Sequence, residues 1–249
     1  MKTDLVDFLL DNEKIFVNSN TGKGKTLDLS LFALLFMDNF PEYKGIANFH
    51  LNIYDIITKK PKFEFSKYGL LPFNRLEKGN WLIIIDDFIA VKKDLQNLGS
   101  ILGTLARKMN VHFWTSIHYY THLKPDSRKL FQYEIIPYLT KVYKGKLTEL
   151  SKLKLECYIP DTMDLRYKFK MSNILGLVKG NYECNNVFVK GCLYDTYELV
   201  PFSSERKVIQ EISNWCKSLD DIEKNVNLIT KNRSHYKYLV NQVRQIINV

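Results

Sequence analysis

The sequence predicts an α/β sandwich: a mostly parallel sheet covered by helices, with a β-rich insertion and a C-terminal helical tail. Three observations carry this expectation. From the start to about residue 138, short apolar strand candidates alternate with helical patterns, as in a parallel sheet covered on both faces. After Pro137 the pattern changes, and residues 152–171 alternate charged and apolar types (KLKLECYI, LRYKFKM), which suits antiparallel strands with one wet face. From Ser203 the chain reads as helical again. The expected organisation is a core over residues 1–140, a β-rich insertion returning to the core over 141–202, and a helical segment over 203–249.

Lys14 to Asn18 (KIFVN) is a strand candidate followed by a glycine-rich turn. Lys25 to Phe40 then carries Leu27, Leu31, Leu34, Leu35 and Phe36 at helical spacing, and Pro41 stops it. Ile46 to Leu51 and Trp81 to Ile85 read as strands, Lys93 to Met109 as a helix, and Val111 to Ile117 as a strand. Gly176, Gly180 and Gly191 punctuate the insertion. The tail reads as three helices, from Ser203 to Leu219, Leu219 to Thr230 and His235 to Ile247.

At 249 residues, 45% hydrophobic, 25% charged and 13% aromatic, the chain has ample material for a core, which excludes disordered, collagen-like and coiled-coil classes. The apolar runs Leu31 to Met37 and Trp81 to Ile85 fall far short of the ~18 residues of a spanning helix. The N-terminus (MKTDLVDFLLDNEK) has acids within its apolar stretch and no small-residue cleavage site, so a soluble, unexported chain is expected. Cys157, Cys184, Cys192 and Cys216 follow no C-x-x-C spacing and read as reduced thiols. The net charge of +9 points to an anionic partner, nucleic acid first, although a composition rich in Lys, Asn, Ile and Tyr also follows from AT-rich coding.

The most informative stretch is Ser19-Asn20-Thr21-Gly22-Lys23-Gly24-Lys25-Thr26, with Leu27 continuing into the helix. It matches the phosphate-binding pattern G-x-x-x-x-G-K-[ST] except that Ser19 stands at the first position. A strand precedes it and an amphipathic helix follows, so successive backbone N–H groups and the helix N-terminus can face the phosphates of ATP. Lys25 would reach the β- and γ-phosphates, and the Thr26 hydroxyl would ligate Mg2+. The run Trp81-Leu-Ile-Ile-Ile-Asp86-Asp87 has the form of a Walker B strand ending in two carboxylates. Asp86 would hold the metal through water, and Asp87 stands where many such ATPases place the residue that activates the attacking water.

From this point the chain resembles the FtsK/HerA-like, additional-strand branch of P-loop ATPases, especially the small DNA-packaging ATPases of tailless viruses. The P-loop, Ala47-Asn48-Phe49-His50-Leu51, the Walker B run, Leu105-Ala-Arg107-Lys108, Val111 to His118 and Tyr194-Asp195-Thr196-Tyr197-Glu198 occur in the family's order. The likeness covers roughly residues 1–200, and departs from the family at Ser19 for Gly, Asp87 for Glu and His118 for Gln. It implies a γ-phosphate contact by His118, with Ser116 as its rival, and an arginine acting on the neighbouring subunit's nucleotide. Arg128 is preferred for that role, because Arg107 with Lys108 fits the last turn of a helix, where it offsets the dipole.

The resemblance further implies a homo-oligomeric ring (a hexamer being one size to expect), double-stranded DNA as partner, and a capsid or virion-membrane protein beside it. The corresponding location is the host cytoplasm or the virion. Lys141 to Lys154, Lys168 and Lys170 are candidate phosphate contacts, with a solvated strand face as the plain alternative. Lys231, Arg233, His235, Lys237 and Arg244 mark a basic tail expected to cover the sheet or pack on a neighbour. The alternative functions are an ATP-dependent DNA-binding switch, or a Zot-like or AAA-type morphogenesis or replication ATPase without a packaging role.

Overall fold

The computed structural model describes residues 5–19, 24–66, 73–76, 79–88, 109–118, 129, 131–138, 154–160, 162–170, 184–194, 205–229 and 233–248. In chain order these form α1 (Leu5–Asp11), β1 (Lys14–Asn18), α2 (Lys25–Asn39), β2 (Lys44–Ala47), β3 (Leu51–Asp55), β4 (Phe63–Phe65) and α3 (Phe73–Leu76). There follow β5 (Trp81–Ile85), β6 (Val111–Ile117), β7 (Tyr133–Tyr138), β8 (Lys154–Ile159), β9 (Asp164–Lys170) and β10 (Val187–Tyr194). The tail forms α4 (Glu205–Trp215), α5 (Leu219–Ile229) and α6 (Arg233–Ile247).

Eight strands make one sheet in the order β4-β2-β5-β6-β1-β7-β8-β9. The pairings from β4 to β7 are parallel, and β8 and β9 extend the sheet antiparallel. β6 lies between β1 and β5, with Ile15 opposite Trp114 on one side and Ile84 opposite the same Trp114 on the other. The stretch expected as an insertion thus supplies β8 and β9 to the outer edge of the main sheet. It also supplies β10, which pairs with β3 in a separate two-stranded ribbon.

Strand alternation sorts the core into two layers. Ile15, Val17, Leu82, Ile84 and Trp114 face α1, α2 and the ribbon. Phe16, Ile83, Ile85, Phe113 and Ile117 face the other way, where Ile209, Ile212, Ile222, Val226, Leu239 and Val243 of the tail helices cover them. The central strands β5 and β6 are buried along their whole length. This is why they read as continuous apolar runs instead of alternating ones. α2 is buried at twelve of its fifteen positions, so it is an internal helix whose residues are apolar on nearly every side. Its C-terminal end is tied to the ribbon by Asn186, whose N–H donates to Asp38 Oδ1 at 2.6 Å.

One strand expectation needs correction. Ile46 to Leu51 is not a single strand: β2 ends at Ala47, the chain bends through Asn48 to His50, and β3 begins at Leu51 in the other sheet. The apolar character is continuous because both strands feed the same buried layer, where Ala47, Phe49, Leu51 and Ile53 all pack. Most of the helix expected over Lys93 to Met109 falls outside the described residues. Among the described residues no helix is long and apolar enough to cross a membrane, and all four cysteines are free thiols.

Candidate functional site

The site forms where the C-terminal ends of β1, β5 and β6 meet the head of α2. Beyond Asn18, Ser19 N–H still donates to Ile117 O at 3.4 Å, which holds the chain to β6 one residue past the strand. Residues 20–23 lie outside the described residues, and Gly24 re-enters at φ 87 as the N-cap of α2. A Cβ on Gly24 would meet nothing within 4 Å, so the glycine answers to the left-handed backbone and not to crowding. Asp28 N–H donates to Gly24 O at 2.9 Å and starts the helix.

Lys25 is only 6% exposed. Its Nζ donates to Ser19 O at 2.9 Å and lies 3.1 Å from His118 Nδ1. An ammonium has no acceptor, so Nδ1 must accept, which assigns the imidazole proton to Nε2. Nε2 in turn sits 2.9 Å from Asp87 Oδ1. The chain Lys25–His118–Asp87 is therefore consistent with a neutral histidine joining a cation to an anion. Burial lowers the Lys25 pKa, while the carboxylates of Asp87, Asp86 and Asp28 push it back up.

Beside this chain, Thr26 Oγ1 donates to Asp86 Oδ2 at 2.7 Å. Ser116 Oγ donates to Asp86 Oδ1 and accepts the Asp87 N–H at 2.9 Å. Asp86 is 6% exposed; burial raises its pKa, and the Ser116 and Thr26 hydroxyls counter that shift. Its main chain is bracketed by Asn48, whose Oδ1 accepts Asp86 N–H at 2.8 Å and whose Nδ2 donates to Asp86 O at 2.9 Å. Asp87 turns the chain out of β5 at φ 49, a left-handed conformation that Asp tolerates better than most residues. Phe88 N–H then returns to Ser116 O at 3.0 Å.

The donor set is all oxygen: the Thr26 hydroxyl, the Asp86 carboxylate and the nearby Ser116 hydroxyl. Among the described residues no group of three or more His, Cys, Asp and Glu could hold a metal by itself. One carboxylate with one hydroxyl fits Mg2+, which keeps several waters and shares phosphate oxygens; it does not fit an all-protein calcium or transition-metal cage.

Of the residues singled out from sequence, Ser19, Gly24, Lys25, Thr26, Asp86, Asp87 and His118 converge here. Leu27 is partly buried against the core. Asn20, Thr21, Gly22, Lys23, Arg107 and Arg128 fall outside the described residues. Ser116 and His118, weighed as rivals, take different places, Ser116 on Asp86 and His118 between Lys25 and Asp87.

Three further polar residues belong to the site and its surroundings. Asn48 stands in the sequence within Ala47-Asn48-Phe49-His50-Leu51, and its contacts to the Asp86 main chain have no local sequence signature. Asp28, one turn past Lys25, is fully buried, and neither carboxyl oxygen has a hydrogen-bond partner among the described residues. Glu134 on β7 is 1% exposed and accepts from Asn18 Nδ2 at 2.5 Å, and burial raises its pKa. A lone acid inside an otherwise apolar stretch was the available signal for both.

No family model and no curated protein matches the sequence. Among solved structures, the chain is similar to the genome packaging NTPase B204 from Sulfolobus turreted icosahedral virus 2. The complex with ATP-gammaS matches at 12% identity and a TM-score of 0.42, covering 65% of this chain and 98% of that one. The sulfate complex matches at 10% identity and a TM-score of 0.42, covering 64% and 96%. The AMPPCP complex matches at 12% identity and a TM-score of 0.39, covering 64% and 97%. At these scores the likeness carries no weight of its own, and the functional reading rests on the side chains described above.

Proposed function

We propose that this protein is a Mg2+-dependent ATPase of the additional-strand P-loop type that couples hydrolysis to movement of double-stranded DNA, with viral genome packaging as its setting. The observation that carries the ATPase reading is the direct 2.7 Å bond from Thr26 to Asp86 beside a buried Lys25. The bond brings a hydroxyl from the head of α2 and a carboxylate from just past the end of β5 to one point, the pair that a Mg2+-nucleotide centre uses. The position of β6 between β1 and β5 supports the same reading.

In this mechanism Lys25 exchanges its bonds to Ser19 O and His118 for phosphate oxygens, and the N–H groups at the head of α2 face the same anion. Thr26 and Asp86 would hold Mg2+, which would supply neutralisation of phosphate charge. Asp87, about a third exposed, is assigned to accept the proton of the attacking water. His118 orients the Asp87 carboxylate through Nε2–H and reports on the γ-phosphate through Lys25. Arg128 is assigned the role of neutralising transition-state charge on a neighbouring subunit in a homo-oligomeric ring. The exposed Lys154, Lys168 and Lys170 on β8 and β9 are assigned to the DNA backbone.

The test is Mg2+-ATP hydrolysis with and without double-stranded DNA, for the wild type, Lys25→Ala and Asp87→Asn. DNA-stimulated turnover lost in both variants is the expected result. The engagement of Asp87 by His118 favours a second reading, a nucleotide-dependent DNA-binding switch. Tight ATP binding with no turnover, even with DNA at high protein concentration, would select that reading over the motor.

A further inference from the structure

β2 leaves the main sheet before the strand beside it has finished. Its ladder with β5 runs from Lys44 opposite Trp81 to Ala47 opposite Ile84, and Asn48 N–H closes it on Ile84 O at 3.3 Å. Asp86 lies two residues past Ile84, just beyond the end of β5, where a continuing β2 would have bonded its N–H and C=O. Instead the chain bends away at Phe49 and His50 into β3, which pairs with β10.

The side chain of Asn48 takes over the missing rung. Its carboxamide accepts the Asp86 N–H at 2.8 Å and donates to the Asp86 C=O at 2.9 Å. A carboxamide has the planarity, the donor and the acceptor of a peptide group, so one side chain satisfies both main-chain groups that β2 abandons. Asn48 is 1% exposed, so little water is at hand to replace either bond.

We propose that Asn48 is a positioning residue for the divalent cation: by fixing the two peptide groups that flank Asp86, it aims the Asp86 carboxylate between Thr26 and Ser116. This rests on the Mg2+-nucleotide reading above and names the residue that sets its cation affinity. Asn48→Ala removes both bonds and frees these two peptide groups to rotate. Asn48→Ser keeps one hydroxyl in place of the carboxamide, and serves as the milder arm.

The experiment is a Mn2+ titration of the full chain followed by electron paramagnetic resonance, with ATPγS present, beside nucleotide binding measured in EDTA. Orienting groups behind a metal ligand are typically worth about 10–100-fold in affinity. Asn48→Ala is therefore expected to weaken Mn2+ by about that factor and Asn48→Ser by less. Metal-free nucleotide binding should stay within about 2-fold, and hydrolysis should recover as Mg2+ is raised. A purely structural role would instead lower the melting temperature and leave the Mn2+ affinity of the folded protein unchanged in both variants, which overturns the proposal. If the wild type itself binds neither Mn2+ nor nucleotide, the ATPase reading fails first and takes this inference with it.

Discussion

Asp28 offers a direct test of how the buried head of α2 is built. It is fully buried with both carboxyl oxygens unpartnered among the described residues, and desolvation holds its pKa well above the ordinary carboxylate value. A raised folded pKa means that the folded state binds the proton more tightly than the unfolded chain does. Stability contributed by this group is thus present below the unfolded value of about 3.9. It is lost as pH rises from there to the folded value, and is constant beyond it. Asp28→Asn has nearly the same shape and cannot titrate. Each pH unit inside the window is worth about 1.36 kcal/mol. For a chain of this size about 1 kcal/mol moves the melting temperature by ~2–4 °C. Thermal unfolding followed by circular dichroism at pH 4.5, 5.5 and 7 should show the variant gaining on the wild type by several degrees as pH rises. A difference constant to within about 1 °C across that range, or one that shrinks towards neutrality, would refute the claim that an unpaired carboxyl is buried here.

Other outcomes follow from the same packing. His112 lies among Phe36, Tyr43 and Trp114, and burial lowers its pKa to about 4, so the unfolded chain takes up its proton first. Acidification from about 6.5 to 4 should then cost roughly 3 kcal/mol, and His112→Phe should remove most of that dependence in pH-resolved denaturant unfolding. At Gly45 an added Cβ would come within 2.3 Å of the Phe63 ring, so Gly45→Ala should cost about 1–3 kcal/mol in urea unfolding by overpacking β2 against β4. Phe36→Ala empties the centre of an aromatic cluster with Phe40, Tyr43 and Trp114, and about 3–5 kcal/mol of lost stability is expected by the same method. In steady-state hydrolysis, His118→Ala is expected to lower kcat by about 10-fold or more with a smaller change in KM, because His118 contacts both Asp87 and Lys25; an unchanged kcat would remove His118 from the proposed mechanism.

Much of the architecture is written locally. KIFVN, WLIII and VHFWTSI are β-branched or aromatic runs too short for helices, and they became β1, β5 and β6 with the expected bounds. The helix from Lys25 was equally legible, because Gly24 and Pro41 punctuate its two ends. The Gly24-Lys25-Thr26 triplet and the Asp86-Asp87 pair pointed to one centre because side-chain type and the ends of predicted elements coincide there. The bend at Asn48 was illegible for a physical reason. Hydropathy records burial, and the residues on both sides of the bend are buried in the same layer, so nothing in their pattern says that the backbone changes sheets.

Sequence by itself determined most of the strands and helices around the site and which side chains have the chemistry to suit phosphate or a hard cation, since backbone propensity and side-chain chemistry are local properties. Tertiary structure alone decided which of those side chains touch. It placed β6 between β1 and β5, joined Lys25 to Asp87 through the His118 imidazole, and gave Ser116 to Asp86. It also turned Asn48 into a substitute for a strand that had left the sheet. These are distances between residues far apart in the chain. They follow from strand order and from the need to satisfy every buried donor and acceptor, a condition that is met only when the whole sheet is assembled.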